Sequence, residues 1–96
     1  MRWIVFFTDT PEMLAVRQQR EFDHLAYLRQ HAGEIKLAGG CRPAPEASFV
    51  GGLWILEVAT RERAIELIEN DPYFEPLWRS YQLLTWGKAL DGPVVL

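Results

Sequence analysis

The sequence predicts one α+β domain with the element order β-α-β-β-α-β, a four-stranded antiparallel sheet and two helices on one face. Three observations carry that expectation. Four β-favouring runs are each closed by turn residues, and two segments show helical spacing between them. The strand residues are also apolar on both alternating sets. A chain of 96 residues is one domain, expected over 1–96, and its 49% hydrophobic content is enough for a core.

Strand one is Arg2 to Thr8, the run Trp-Ile-Val-Phe-Phe closed by Asp9-Thr10-Pro11. From Pro11 to about Ala32 the spacing is helical. Leu14, Gln18, Phe22, Leu25, Leu28 and Ala32 fall on one stripe, with a weak point near Val16. Thr10 is the expected N-cap, Pro11 the first helical residue and Gly33 the stop. Strand two is Glu34 to Cys41, ending in Gly39-Gly40. A loop follows, with Pro43 and Pro45 unable to donate to a ladder. Strand three is Phe49 to Val58, expected to be weakened at Gly51-Gly52. Thr60 caps a second helix that buries Ala64, Ile65, Leu67 and Ile68 and stops before Pro72. Strand four is Ser80 to Lys88, followed by a turn and an apolar tail.

This order is the ferredoxin-like split β-α-β pattern. Trp3, Val5 and Phe7 face one way and Ile4 and Phe6 the other; Leu53 and Ile55 oppose Trp54 and Leu56; Leu83 opposes Leu84 and Trp86. Two helices cover one face only. A second copy of the chain, packed sheet to sheet in two-fold symmetry, is the expected cover for the other. The tail, with Val94, Val95 and Leu96, is too small to replace it.

The net charge is −3 and no Lys/Arg block exists, so neither nucleic acid nor an anionic membrane surface is an expected partner. One cysteine, Cys41, allows no internal disulfide and no zinc-finger cluster. The opening residues read as a strand rather than a signal peptide, and no run reaches the roughly 20 apolar residues of a membrane span. The expected location is the cytoplasm, with no cofactor and no metal.

The familiar catalytic motifs of nucleotide, serine-hydrolase and zinc-protease sites are absent. His24 lies on the long helix about 100° from the centre of the apolar stripe, at its border. A border imidazole can be held by a neighbour and reached by a ligand, and can exchange a proton near neutrality; by helical position alone, its plainer role is a half-buried histidine whose ring nitrogen satisfies a backbone group. His31, seven residues on, is too far to share a metal with it and suits the negative end of the helix dipole. Asp71, in Glu-Asn-Asp-Pro-Tyr-Phe, is the second candidate. Its plain role is to cap a short turn. A carboxylate can cap and still fix an imidazole tautomer.

The residues His24 to Arg29 (His-Leu-Ala-Tyr-Leu-Arg), Leu37 to Gly40 (Leu-Ala-Gly-Gly) and Glu69 to Phe74 together resemble the YciI-like family of the dimeric α/β-barrel superfamily. The resemblance implies a ferredoxin-like homodimer with a His/Asp centre in a cleft. It implies His24 as general acid/base, Asp71 as its orienting partner, Tyr73 lining the cleft and Asp9 near it as a substrate-binding residue. Many relatives carry Arg three residues before the histidine, where this chain has Glu21 with Arg20 one step earlier, and they usually have Gly-Pro where it has Gly39-Gly40. The function so implied is cofactor-independent acid-base chemistry on a small molecule: proton transfer, or lyase or dehalogenase-type elimination. The alternative is a non-catalytic ligand-binding or interaction domain of the same fold.

Overall fold

The computed structural model describes residues 1–94. The elements are β1 (Arg2–Asp9), α1 (Met13–Gln30), β2 (Ile35–Cys41), β3 (Gly51–Glu57), α2 (Arg61–Glu69) and β4 (Arg79–Thr85). The sheet is antiparallel with order β2-β3-β1-β4, and the fold is ferredoxin-like. The expected order is therefore present. The expected tail extends beyond the described residues at 95 and 96; Val94 is exposed.

Alternation decides which strand residues enter the core. Trp3, Val5 and Phe7 of β1, Trp54 and Leu56 of β3 and Leu83 of β4 are buried together with Ala64, Leu67 and Ile68 of α2. Tyr27 and Leu28 of α1 pack on the same cluster, so both helices cover one face. Thr60 caps α2 as expected, its hydroxyl accepting from the Arg63 N–H at 3.1 Å.

The opposite face is open. Leu37, Ile55, Ile4 and Leu84 form a row across all four strands, since Leu37 pairs with Ile55, Ile55 with Ile4, and Ile4 with Leu84. Phe6, Leu53 and Trp86 extend it, and Leu84 and Trp86 are 51% and 43% exposed.

Three local expectations are corrected. First, α1 starts at Met13, after a turn in which the Met13 N–H donates to the Thr10 carbonyl at 3.0 Å; no side chain caps it, and it runs unbroken through Val16. Second, the helix is rotated relative to the apolar stripe. Its inward residues are Met13, Val16, Arg17, Arg20, His24, Tyr27 and Leu28, while Phe22 is 84% exposed, Leu14 lies outside and Leu25 reaches only the rim of the cleft described below. Arg17, Arg20 and His24 turn inward because they meet polar partners from other elements, which helical periodicity does not report.

Third, Gly51-Gly52 does not weaken β3, which starts at Gly51 and pairs there with both neighbouring strands. The glycines permit close approach. A Cβ on Gly51 would sit 2.0 Å from the Phe7 carbonyl oxygen, which is backbone and cannot step aside.

Tyr27 ties α1 to α2 by donating its hydroxyl to the Leu67 carbonyl at 2.6 Å. Burial first, and then the negative charge of Asp71, push its pKa from 10.0 up to about 12. The folded state therefore prefers the neutral phenol. That preference is fully present below pH 10.0 and disappears as the pH climbs through about 12. Urea midpoints should fall across this window. Tyr27→Phe should flatten part of the fall and cost about 1 kcal/mol at neutral pH for the lost hydrogen bond. An unchanged alkaline slope in the variant would show that other groups produce it.

Candidate functional site

The inward face of α1 and the turn after α2 meet over the buried face of the sheet. α2 ends at Glu69, and Pro72 prevents its continuation, so Asp71 lies in the turn that follows. The Asp71 carboxylate is 2% exposed and the His24 side chain 12%. His24 Nδ1 lies 2.6 Å from Asp71 Oδ1. A carboxylate only accepts, so Nδ1 carries the proton and donates it. The neutral tautomer then leaves Nε2 with a free lone pair, and Nε2 has no protein partner among the described residues. Asp71 Oδ1 also accepts from the Tyr73 N–H at 3.2 Å. One oxygen thus caps the turn and holds the imidazole. Asp71 Oδ2 is buried without a partner among the described residues.

Tyr73 fixes the other side of the imidazole. Its ring stacks on His24, with centroids 3.7 Å apart and planes 6° from parallel. Its hydroxyl donates to the Arg17 carbonyl at 3.2 Å. Burial raises the Tyr73 pKa, with Arg17 acting in the opposite direction, so the phenol is neutral at physiological pH and is no base there. Arg20 locks the turn by donating to the Pro72 carbonyl at 3.2 Å.

His24 and Tyr73 line a cleft of about 250 Å³. Phe7, Trp54 and Leu28 form its apolar floor, and Gly39, Gly40 and Gly52 leave room beside the strands. Phe49, Arg17, Arg79 and Glu21 complete the wall. A cleft of this volume fits a single-ring molecule; sites for drug-sized ligands begin near ~300 Å³.

Of the four residues named from the sequence, three meet: His24, Asp71 and Tyr73. Asp9 stands behind the wall. Its side chain is fully buried and accepts from Arg79 Nε at 2.7 Å, Arg79 Nη2 at 3.0 Å and Arg17 Nη2 at 3.2 Å. It is not among the lining residues, so it reaches the cleft through Arg17. Sequence reasoning missed Arg17, Arg79 and Phe49. Arg17 carried a signal, because seven residues are two helical turns and place it on the His24 face. Arg79 and Phe49 had none, since tertiary packing alone brings β4 and the loop 42–50 to this place.

Among the described residues no group of three or more His, Cys, Asp or Glu is placed to hold a metal, and no helix is long and apolar enough to cross a membrane.

The family model of the YCII-related domain matches residues 1–87. No curated protein matches the chain. Among solved structures, the 5-chloro-2-hydroxyhydroquinone dehydrochlorinase of Burkholderia phenoliruptrix, in complex with 2,5-dihydroxybenzoquinone, is similar. The TM-score is 0.78 at 24% identity, over 91% of this chain and 94% of that one. This likeness is one of fold.

Proposed function

Given that the chain belongs to the YCII-related domain family, we propose that it is a cofactor-independent enzyme that uses His24 and Asp71 for acid-base chemistry on a small cyclic molecule. The observation that carries this reading is the buried Asp71 carboxylate 2.6 Å from Nδ1 of His24, which itself lines a cleft sized for one ring. Nε2 is the base. It takes a proton from the substrate, and the pair released expels a leaving group with its bonding electrons. The proton then passes from Nε2 to the departing anion or to water. No oxidant or reductant is consumed. Asp71 keeps the tautomer and the ring angle fixed, and Tyr73 supports the imidazole face.

The dehydrochlorinase with the same fold supports elimination over simple proton transfer as the reaction type. Chloride release from 5-chloro-2-hydroxyhydroquinone is therefore the first assay. His24→Ala and Asp71→Asn should each lower kcat by about 10²–10⁴, measured where circular dichroism shows the variant folded. Wild-type activity in either variant overturns the assignment. Saturable binding of 2,5-dihydroxybenzoquinone without turnover of any chlorinated analogue would leave a binding domain instead.

The working unit is a homodimer joined through the open sheet face. The row Leu37–Ile55–Ile4–Leu84 supports this, because an apolar stripe across four strands is costly to leave in water. Arg2, Lys36, Glu57 and Lys88 frame it as a polar rim of both signs. The lone, exposed Cys41 fits a reducing compartment, and we place the protein in the cytoplasm.

A further inference from the structure

The acid-base reading leaves one charged element of the cleft unused. Arg17 is 14% exposed, and its guanidinium lies between two rings, 4.8 Å from the Phe49 centroid and 5.4 Å from that of Tyr73. Only Nη2 is engaged, donating to Asp9 Oδ2 at 3.2 Å and to the Gly51 carbonyl at 2.7 Å. Nε is buried without a partner, and Nη1 makes no hydrogen bond among the described residues. Nη1 sits 3.4 Å from the point where a Cβ on Gly40 would project, and Gly40 lines the cleft. A guanidinium with underused donors at a half-enclosed wall lacks an acceptor.

The charges around it favour the same conclusion. Among the described residues Asp9 is the one carboxylate shared by two guanidiniums, and Arg79 takes the two-pronged geometry. Arg79 turns Nε and Nη2 onto Asp9 and is 3% exposed against 14% for Arg17, so it is the less accessible of the two cations. Arg17 is only partly neutralised. Glu21 also lines the cleft but is exposed and makes no ion pair with Arg17 among the described residues. Its charge opposes a second negative group on the ligand.

We propose that Arg17 is an anion subsite, and that the cleft takes a flat, single-ring organic ligand with one negatively charged oxygen group, carboxylate or enolate, placed on Arg17 Nη1. The inference rests on the reading that this cleft receives a small molecule. Phe49 and Tyr73 hold the guanidinium plane between them and shield it from water, and the ligand ring occupies the cleft beside them. His24 Nε2 is then presented to another atom of the same ring. The subsite orients the substrate and selects its charge, while His24 moves the proton.

The test compares benzoate with benzamide, which share a shape and differ in charge. Binding is followed by amide and arginine side-chain NMR shifts at millimolar concentration. Wild type should bind benzoate at least about tenfold more tightly, and the Arg17 Nε–H signal should move with benzoate alone. Arg17→Met should lose about tenfold or more for benzoate and stay within about twofold for benzamide. Arg17→Lys should recover part of the preference. Should Arg17→Met fail to fold, the wild-type preference and the Arg17 signal decide the matter alone. Equal binding of the two probes, no saturable benzoate binding, or a preference that survives Arg17→Met overturns the proposal. The outcomes separate the two readings. Turnover with no charge preference removes the Arg17 subsite only. A charge preference on Arg17 without any turnover removes the His24 chemistry only.

Discussion

Asp9→Ala should destabilise the protein by about 3–5 kcal/mol, more than any change at the surface. The carboxylate is fully buried and receives three hydrogen bonds, two of them from Arg79. Arg79 is 3% exposed, wedged with its guanidinium carbon 4.5 Å from the Phe7 ring centroid. Removing the acid leaves that cation in a nonpolar place with nothing to accept from it. For a domain of this size the loss corresponds to a fall in Tm of roughly 15–30 °C. Urea denaturation of parent and variant measures it directly. Asp9→Asn keeps an acceptor and should lose less. A loss below about 1 kcal/mol would mean that the pair is as weak as an exposed one. The same substitution removes the partner that aims Arg17, so any surviving benzoate preference should shrink as well.

Ile55→Lys should break the proposed homodimer while leaving the monomer folded. Ile55 points away from the helices, between Leu37 and Ile4 in the open row. In a single chain its replacement sits on a half-exposed surface and the long side chain reaches water. In a sheet-to-sheet dimer it brings an uncompensated charge into the middle of the contact, and two-fold symmetry does so twice. At about 2–3 kcal/mol for each copy, the dissociation constant should rise by roughly three to four decades. Sedimentation equilibrium should give twice the chain mass for the parent and once for the variant at micromolar concentration. A monomeric parent removes the dimer reading. An unchanged dimer in the variant moves the contact to another surface.

The strands and α2 were legible for a common reason. Their burial follows simple periods, two for β1, β3 and β4 and 3.6 for α2, and their apolar residues are the buried ones. Thr60 and Pro72 mark the ends of α2 by local chemistry that needs no tertiary partner. In α1 the rule fails. Its apolar stripe, with Phe22 at the centre, meets the core only at Leu28. Arg17, Arg20 and His24 turn inward because Asp9, the Pro72 carbonyl and Asp71 wait there. Charge-assisted bonds to such partners outweigh the burial of an extra leucine. Sites are where local pattern and final structure are expected to part.

The sequence by itself determined the element order, the two-faced sheet and the identity of His24, Asp71 and Tyr73 as candidates. Each of those depends on neighbours within about ten residues or on a recognisable pattern. Only the tertiary structure decided that His24 and Asp71, 47 residues apart, share a hydrogen bond, that Asp9 is an anchor behind the wall, and that Arg17 faces the cleft. The physical reason is that a buried charge takes its orientation from partners brought by distant chain segments, and a linear pattern holds no record of which segments those are.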